Sequence, residues 1–309
     1  MKWILGITIL CLSINVLAFP ITIEHKYGIL TVEKKATRVV VVGQVDQDDV
    51  LSFGVKPIAI RDWYGNQPYG VWPWAQDKLG EAQPVLLQAR ILDYEVIASL
   101  KPDLIIGVTS AMNEKEYQKL SAIAPVLAPP AEYEDWTIPW DVRHLLIGTA
   151  LGFSGIAKQQ VTALKQKLTQ AKLDNPEFKD KTAAVAFYYN KQPGAYASKD
   201  LRSQFLMDLG FIIPQEIDQI AGNAFYASFS EERLDILNND IVVWLATKEA
   251  IERASTSAFR QRMPFYKNKK EYFTGDLVGG AFSFFSYLSI QYLLDEMLPE
   301  LAKVTKEAS

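Results

Sequence analysis

The sequence predicts an α/β protein of two Rossmann-like lobes with parallel sheets, joined by one long α-helix. Three observations carry that prediction. Strand-like and helix-like segments alternate along the chain, the pattern of parallel sheets with helical crossovers. The order of elements runs twice. SFGVKPIAI and DLGFIIP each give a helix, a glycine cap and a strand, and DYEVIASLKPDLIIGV and SEERLDILNNDIVVWL each give a helix, a polar turn with aspartate and a buried strand. Between the two runs lies Ser154–Leu173, the longest stretch with no strand signal. The expected division is a signal segment at 1–18, an N-terminal lobe at 19–153, the connecting helix at 154–175 and a C-terminal lobe at 176–309.

The first segment has the pattern of an export signal. Lys2 is a positive start, Trp3 to Leu17 is apolar, and Val16-Leu17-Ala18 offers the small residue at which cleavage would leave Phe19 first. The apolar run is short for a bilayer span and carries Ser13 and Asn15. Cys11, the single cysteine, lies inside it behind Leu10, so the mature chain is expected to have no lipid anchor and no disulfide. The mature chain is expected to be a soluble exported protein.

In the N-terminal lobe, Ile21–His25 and Ile29–Val32 read as a hairpin and Val39–Val42 as a strand buried on both faces. Asp48–Phe53 reads as a short helix closed by Gly54, and Val55–Ile60 as the next strand. Arg61–Trp74 is a loop rich in Trp, Tyr, Gly and Pro. Tyr94–Leu100 is a helix, Lys101–Val108 a turn and strand, Glu114–Ile123 a helix, Pro125–Ala128 a strand, and Trp140–Leu151 a helix ended by Gly152. Ser154 is expected to cap the connecting helix, with Ile156, Val161, Leu164, Leu168 and Ala171 near one face and Asn175-Pro176 as its stop.

In the C-terminal lobe, Thr182–Tyr189 is a strand, Gln204–Leu209 a helix closed by Gly210, and Phe211–Ile213 a strand. Glu231–Leu237 is a helix, Ile241–Leu245 a strand, Lys248–Arg260 helical and Glu271–Phe273 a strand. The last helix runs from Ser286 to Val304, broken or bent at Pro299.

Several chemistries are missing. The first strand ends in Gly43-Gln-Val-Asp, without the glycine pattern that cradles a dinucleotide or triphosphate. Gly152-Phe-Ser-Gly155 fits a nucleophile elbow poorly, since its second glycine comes one place early. Two histidines, His25 and His144, are too few for a His-rich metal site. A net charge of -4 argues against nucleic acid as a partner.

What remains is a set of aromatic and arginine side chains at strand ends, where ligands of open α/β sheets bind. Arg61, Trp63, Tyr64, Trp72 and Trp74 follow the second strand. Trp136, Trp140 and Arg143 precede the connecting helix. Tyr188 and Tyr189 end the first strand of the second half with Tyr196 and Arg202 in the loops behind it, Phe225 and Tyr226 lie in a loop before a helix, and Phe282, Phe284 and Phe285 precede the last helix. Together they suit a flat, partly aromatic ligand with many oxygens. Arg61, Arg143 and Arg202 lean toward an anionic one. The Tyr188-Tyr189 pair also leaves direct ferric ligation open, although neighbours on a strand point to opposite faces.

These segments resemble the periplasmic substrate-binding proteins of ABC importers for ferric siderophores, a family related to vitamin B12 and haem binders. The resemblance covers the whole mature chain: RVVVVG, QDDVLSFGVKPIAI, the VWPWAQDKLG loop, YEVIASLKPDLIIGV, EYQKLSAIAPV, GAYASKDLRSQFLMDLGFIIP, FSEERLDIL and AFSFFSYLSIQYLLDEMLPEL. It implies the class III periplasmic-binding-protein fold and a non-enzymatic role. A monomer would capture a ferric siderophore in the cleft and deliver it to an inner-membrane ABC permease. Iron would come only inside the siderophore, with no cofactor of the protein's own. By position, Glu95 and Glu232 would dock on permease arginines, with Glu231 as the alternative to Glu232. The same fold could take haem, a corrinoid or bare ferric ion, and an exported α/β hydrolase is the reading from another class. One helix between the lobes implies little hinge motion.

Overall fold

The computed structural model describes residues 19–134, 137–189, 192–254 and 258–307. The segment read as a signal and the candidate Trp136 lie outside the described residues. Strands β1 (Ile21–His25) and β2 (Gly28–Val32) form the expected antiparallel hairpin. Its alternate residues Ile21, Ile23, Leu30 and Val32 are buried, the period-two pattern of a half-covered ribbon, against Val39, Val41, Ile147 and Leu151.

The N-terminal sheet contains β3 (Val39–Val41), β4 (Ala59–Arg61), β5 (Val85–Leu87), β6 (Leu104–Ile106) and β7 (Val126–Leu127). All pair in parallel, in the order β5-β4-β3-β6-β7. Branched side chains of β3 and β6 are fully buried, as helices on both faces require. The order reverses between β3 and β6, so the crevice beyond their carboxyl ends is the place where such sheets bind ligands. Two details depart from the sequence reading. The strand expected from Val55 begins only at Ala59, and β5, just after Pro84, had no strong pattern of its own.

The C-terminal sheet contains β8 (Ala183–Tyr189), β9 (Gln192–Tyr196), β10 (Tyr226–Ser228), β11 (Ile241–Trp244) and β12 (Glu271–Phe273). Its order is β10-β9-β8-β11-β12. Strands β8, β11 and β12 are parallel, while β9 and β10 join as an antiparallel extension. The expected strand at Phe211–Ile213 is only a single parallel bridge, Thr182 to Ile212. Residues 192–196 and 226–228 take the edge instead, 192–196 pairing with β8 and 226–228 with 192–196. Glu231–Leu237 is a 3₁₀ helix rather than an α-helix.

The connecting helix spans Ser154–Asp174, about 32 Å at 1.5 Å per residue. Ala157, Val161, Leu164, Leu168 and Ala171 form its buried stripe, and Ile156 faces solvent. Ser154 is not its cap: Phe153 holds that position, and the Ser154 hydroxyl donates to Thr149 Oγ1 at 3.0 Å. The preceding helix ends at Ala150 and Gly152 turns at φ 81°, which brings Ser154 one place inside the new helix.

The lobes are joined a second time, without a covalent link. The helix Gly275–Phe284 ends at Phe285 in left-handed geometry (φ 43°, ψ 50°). Ser286 then starts Tyr287–Tyr292 with a reciprocal capping pair to Ser289. This helix leaves its own lobe and inserts Leu288 among Leu51, Ile60, Val71, Ala75 and Leu79 of the N-terminal lobe. Burial of such a side chain is worth about 1.5–3 kcal/mol. A π turn at Leu293–Met297 precedes Leu298–Glu307, which returns to the C-terminal core through Leu301 and Ala302. Pro299 therefore does not break the helix, because the wider turn before it makes room for the proline ring.

Candidate functional site

Three buried aspartates form the floor of the crevice. The helix Asp46–Ser52 starts directly after β3, and Asp46, Asp48 and Asp49 are all inaccessible to solvent. Each has its own partners. Asp46 accepts from the Thr109 backbone N–H at 3.1 Å and from its hydroxyl at 2.8 Å, which ties the loop after β3 to the loop after β6. Gly43 has no room for a side chain here, since a Cβ would overlap the Asp46 carboxylate. Asp48 accepts from Trp74 Nε1 at 2.7 Å and from the Ser286 hydroxyl at 2.5 Å. Asp49 pairs with Arg143 Nε at 2.7 Å and His144 Nδ1 at 2.8 Å. His144 is sandwiched between the rings of Phe53 and Tyr287 and meets Gln160 Oε1 at 2.8 Å.

The electrostatics differ within this trio. Burial pushes Asp48 up to about 7 and Asp46 up to about 6, against the hydrogen bonds each accepts. Burial works the same way on Asp49, but the Arg143 guanidinium and His144 outweigh it and hold the carboxyl below its usual range. Arg143 also donates from Nη2 to the Phe285 carbonyl at 2.9 Å, so the ion pair grips the left-handed turn of the second bridge.

Above this floor lie two adjoining cavities between the lobes. The inner one, about 340 Å³, receives Trp63, Arg143, Arg202, Phe225 and Phe282 from the predicted set. The outer one, about 700 Å³, receives Tyr64, Tyr188, Tyr189, Tyr196, Phe225 and Tyr226. Phe225 and Ser283 border both. Burial pushes the Tyr64 and Tyr196 phenols above their usual range, so both carry an O–H. Tyr188 donates to Glu231 Oε1 at 2.9 Å, while Tyr189 is largely exposed. Tyr196 and Tyr226 lie on paired antiparallel strands, not in the loops expected for them.

Four predicted residues border neither cavity: Trp140, which is buried in the C-terminal core, and Arg61, Trp72 and Trp74. Arg61 turns back and donates to the carbonyls of Ala89 (2.9 Å), Val42 and Ser110 (3.4 Å each). Trp72 is buried, stacks on Trp74 at 5.0 Å and is wedged between Gly65 and Gly280, where an added Cβ would overlap its ring. Trp74 is held by Asp48. Trp72 and Trp74 support the cleft from behind, packed against Tyr64 and Trp63, which the same segment carries to the cavities.

The inner cavity also takes residues not singled out from sequence: Gln44, Thr109, Asp200 and Ser283. Asp200 was findable, as an aspartate at a helix start two places before Arg202. It caps the helix Leu201–Asp208 and chelates Arg202 Nη1 at 3.0 and 2.8 Å. Arg202 lies over the Tyr196 ring at 4.2 Å. Among the described residues, no group of three or more His, Cys, Asp or Glu is arranged to hold a metal ion. At the surface, Glu95 in the first turn of Tyr94–Ser99 and Glu232 are exposed, whereas Glu231 is occupied by Tyr188.

A cleft of this kind, walled by rings and paired guanidiniums between two braced lobes, defines a two-lobed ligand-binding protein. The chain belongs to the periplasmic binding protein family, whose profile matches residues 40–277. It is 24% identical over 233 residues to the probable siderophore-binding lipoprotein YfiY of Bacillus subtilis, covering 74% of this chain and 69% of that one. It is 28% identical over 199 residues to the Fe(3+) dicitrate-binding periplasmic protein FecB of Escherichia coli, covering 64% and 63%. Among solved structures, a periplasmic solute binding protein from Mycobacterium smegmatis superposes with a TM-score of 0.84 at 30% identity, covering 93% of this chain and 99% of that one. Streptococcus pneumoniae PiaA in complex with ferrichrome shares the fold, with a TM-score of 0.76 at 24% identity over 94% and 100% of the two chains.

Proposed function

We propose that the protein is an exported, non-enzymatic substrate-binding protein that captures a ferric siderophore between its lobes and hands it to an inner-membrane ABC permease. The observation that carries this reading is the double cavity itself. It is a pre-formed concavity of Trp, Tyr and Phe faces with guanidinium donors, and no histidine, lysine or cysteine borders it among the described residues. Flat rings suit the organic shell of a chelate, and guanidinium N–H groups suit its oxygens. Iron then arrives bound by the siderophore, and the protein needs no metal ligands. Similarity to a probable siderophore-binding lipoprotein, YfiY, and to an Fe(3+) dicitrate-binding protein, FecB, points the same way. Glu95 and Glu232, one exposed carboxylate on each lobe, supply the charges for permease docking.

Calorimetric titration of the mature chain with a panel of ferric siderophores tests the reading, with iron-free siderophores and haem as controls. At least one ferric complex should bind with Kd below about 1 µM. Silence toward every ferric complex, or preference for haem, overturns it. Glu95→Ala with Glu232→Ala should leave that affinity unchanged and abolish stimulation of permease ATP hydrolysis. Undiminished stimulation removes the docking role.

A further inference from the structure

Resting on that reading of the cleft, we infer that the cargo is a ferric complex of zero net charge, the tris-hydroxamate type, and that anionic catecholate and citrate complexes are rejected. The argument is the charge balance of the walls. Among the described residues bordering the two cavities, the charged side chains are Arg143, Arg202, Asp200 and Asp276. Two positive charges thus meet two negative ones.

The positive pair is already answered inside the protein. Arg143 is ion-paired to Asp49 at 2.7 Å, and both are removed from solvent. Arg202 is chelated by both oxygens of Asp200 and spread over the Tyr196 face. Counting Asp49 behind Arg143, the fixed charge around the cleft is slightly negative. Arg61, the third arginine that the sequence directed at the cleft, is spent on backbone carbonyls behind it. The arginines that point toward an anionic ligand in the sequence are thus answered by carboxylates or carbonyls of the protein itself.

What the walls still offer is hydrogen bonding without net charge. Arg202 Nε and Gln44 Oε1 are buried and have no protein partner. Both belong to side chains that border the inner cavity. An unpartnered donor and an unpartnered acceptor on side chains that border the same cavity suit a ligand with carbonyl oxygens and amide or hydroxyl hydrogens. Hydroxamates match. Each binds ferric ion as a monoanion through both of its oxygens, so three leave the complex neutral, and the bound oxygens keep lone pairs that can accept hydrogen bonds. Three dianionic catecholates leave three negative charges. Such a complex would shed its water in a cleft with no uncompensated cation to receive it.

Calorimetry on the mature chain with three defined ferric complexes decides the matter: a neutral cyclic tris-hydroxamate, a tris-catecholate and a citrate complex. The tris-hydroxamate should bind at least about 100-fold more tightly than either anion. Its Kd should change less than about twofold between low and high salt, because a neutral ligand is not screened. Asp200→Asn keeps the helix cap and releases Arg202. That variant should gain at least about tenfold for the tris-catecholate and little for the hydroxamate. Equal or tighter binding of an anionic complex by the unaltered protein overturns the inference and leaves the siderophore reading intact. So does an Asp200→Asn variant with no gain for anions. Binding of none of the three, nor of any other ferric complex, overturns the parent reading and the inference with it.

Discussion

Arg143 and Arg202 border the same inner cavity, yet they are held in opposite ways. Arg143 is 2% exposed, and its carboxylate partner Asp49 lies 94 positions earlier in the chain, on another helix. It also holds the Phe285 carbonyl of the C-terminal segment. Arg202 is 18% exposed, and its partner Asp200 is two positions away on the same helix start. One wall is therefore built into the buried framework that braces the lobes. The other is a local pair resting on tyrosine rings. A framework of this kind fixes the cleft, and a local pair is the part that substitution can retune without loss of the fold.

The largest expected effect breaks the comparison directly. Arg143→Leu leaves the Asp49 carboxylate buried without its strongest partner and should cost about 3–5 kcal/mol in urea denaturation. Arg202→Leu should cost only about 1–2 kcal/mol while cargo affinity falls at least about tenfold. Equal stability losses at the two positions would erase the distinction. A second, intermediate effect concerns the brace. Gly280→Ala forces a methyl into the Trp72 ring and should destabilise by about 1–3 kcal/mol. Gly155→Ala, where a Cβ meets nothing within 4 Å, should be neutral or gain up to about 1 kcal/mol. Thermal melts of the pair separate a structural glycine from a dispensable one.

The smallest effect is a pH dependence. The folded-state pKa of Asp48 lies near 7, above its unfolded value of 3.8. Protonated Asp48 therefore favours the folded state, and this contribution is complete below pH 3.8 and lost as pH rises through about 7. Asp48→Asn cannot titrate, so the stability of the unaltered protein relative to this variant should fall between pH 5 and pH 8. A difference that stays flat, or rises, shows that Asp48 is ionised throughout.

Much of the fold was legible because it is local. Continuous apolar runs gave β3, β8 and β11, since strands buried on both faces need apolar side chains at every position. Glycines 54, 152 and 210 ended helices as expected, and each has a positive φ. The antiparallel extension was not legible, because β9 carries Pro193 and Gly194, which read as a turn. Nor was the second bridge, whose helix has an ordinary mixed pattern until Leu288 finds the N-terminal core.

The candidate site divides along the same line. The aromatic residues declared themselves by type and by position after strands, and most of those within the described residues border the double cavity. The three aspartates of Asp-Gln-Asp-Asp did not, because an acidic helix start reads as a solvated one. They are buried because Thr109, Arg143, His144 and Ser286 reach them from 63, 94, 95 and 238 positions away. The sequence alone determined the two-lobed α/β plan, its connecting helix and the stock of rings that could meet a ligand. Those follow from periodicity, capping and composition, which act between neighbours in the chain. Only the tertiary structure decided which charges cancel, and with them the character of the cleft. Neutralising a buried carboxylate takes a partner within about 3 Å, and chain separation of that order is invisible to local pattern.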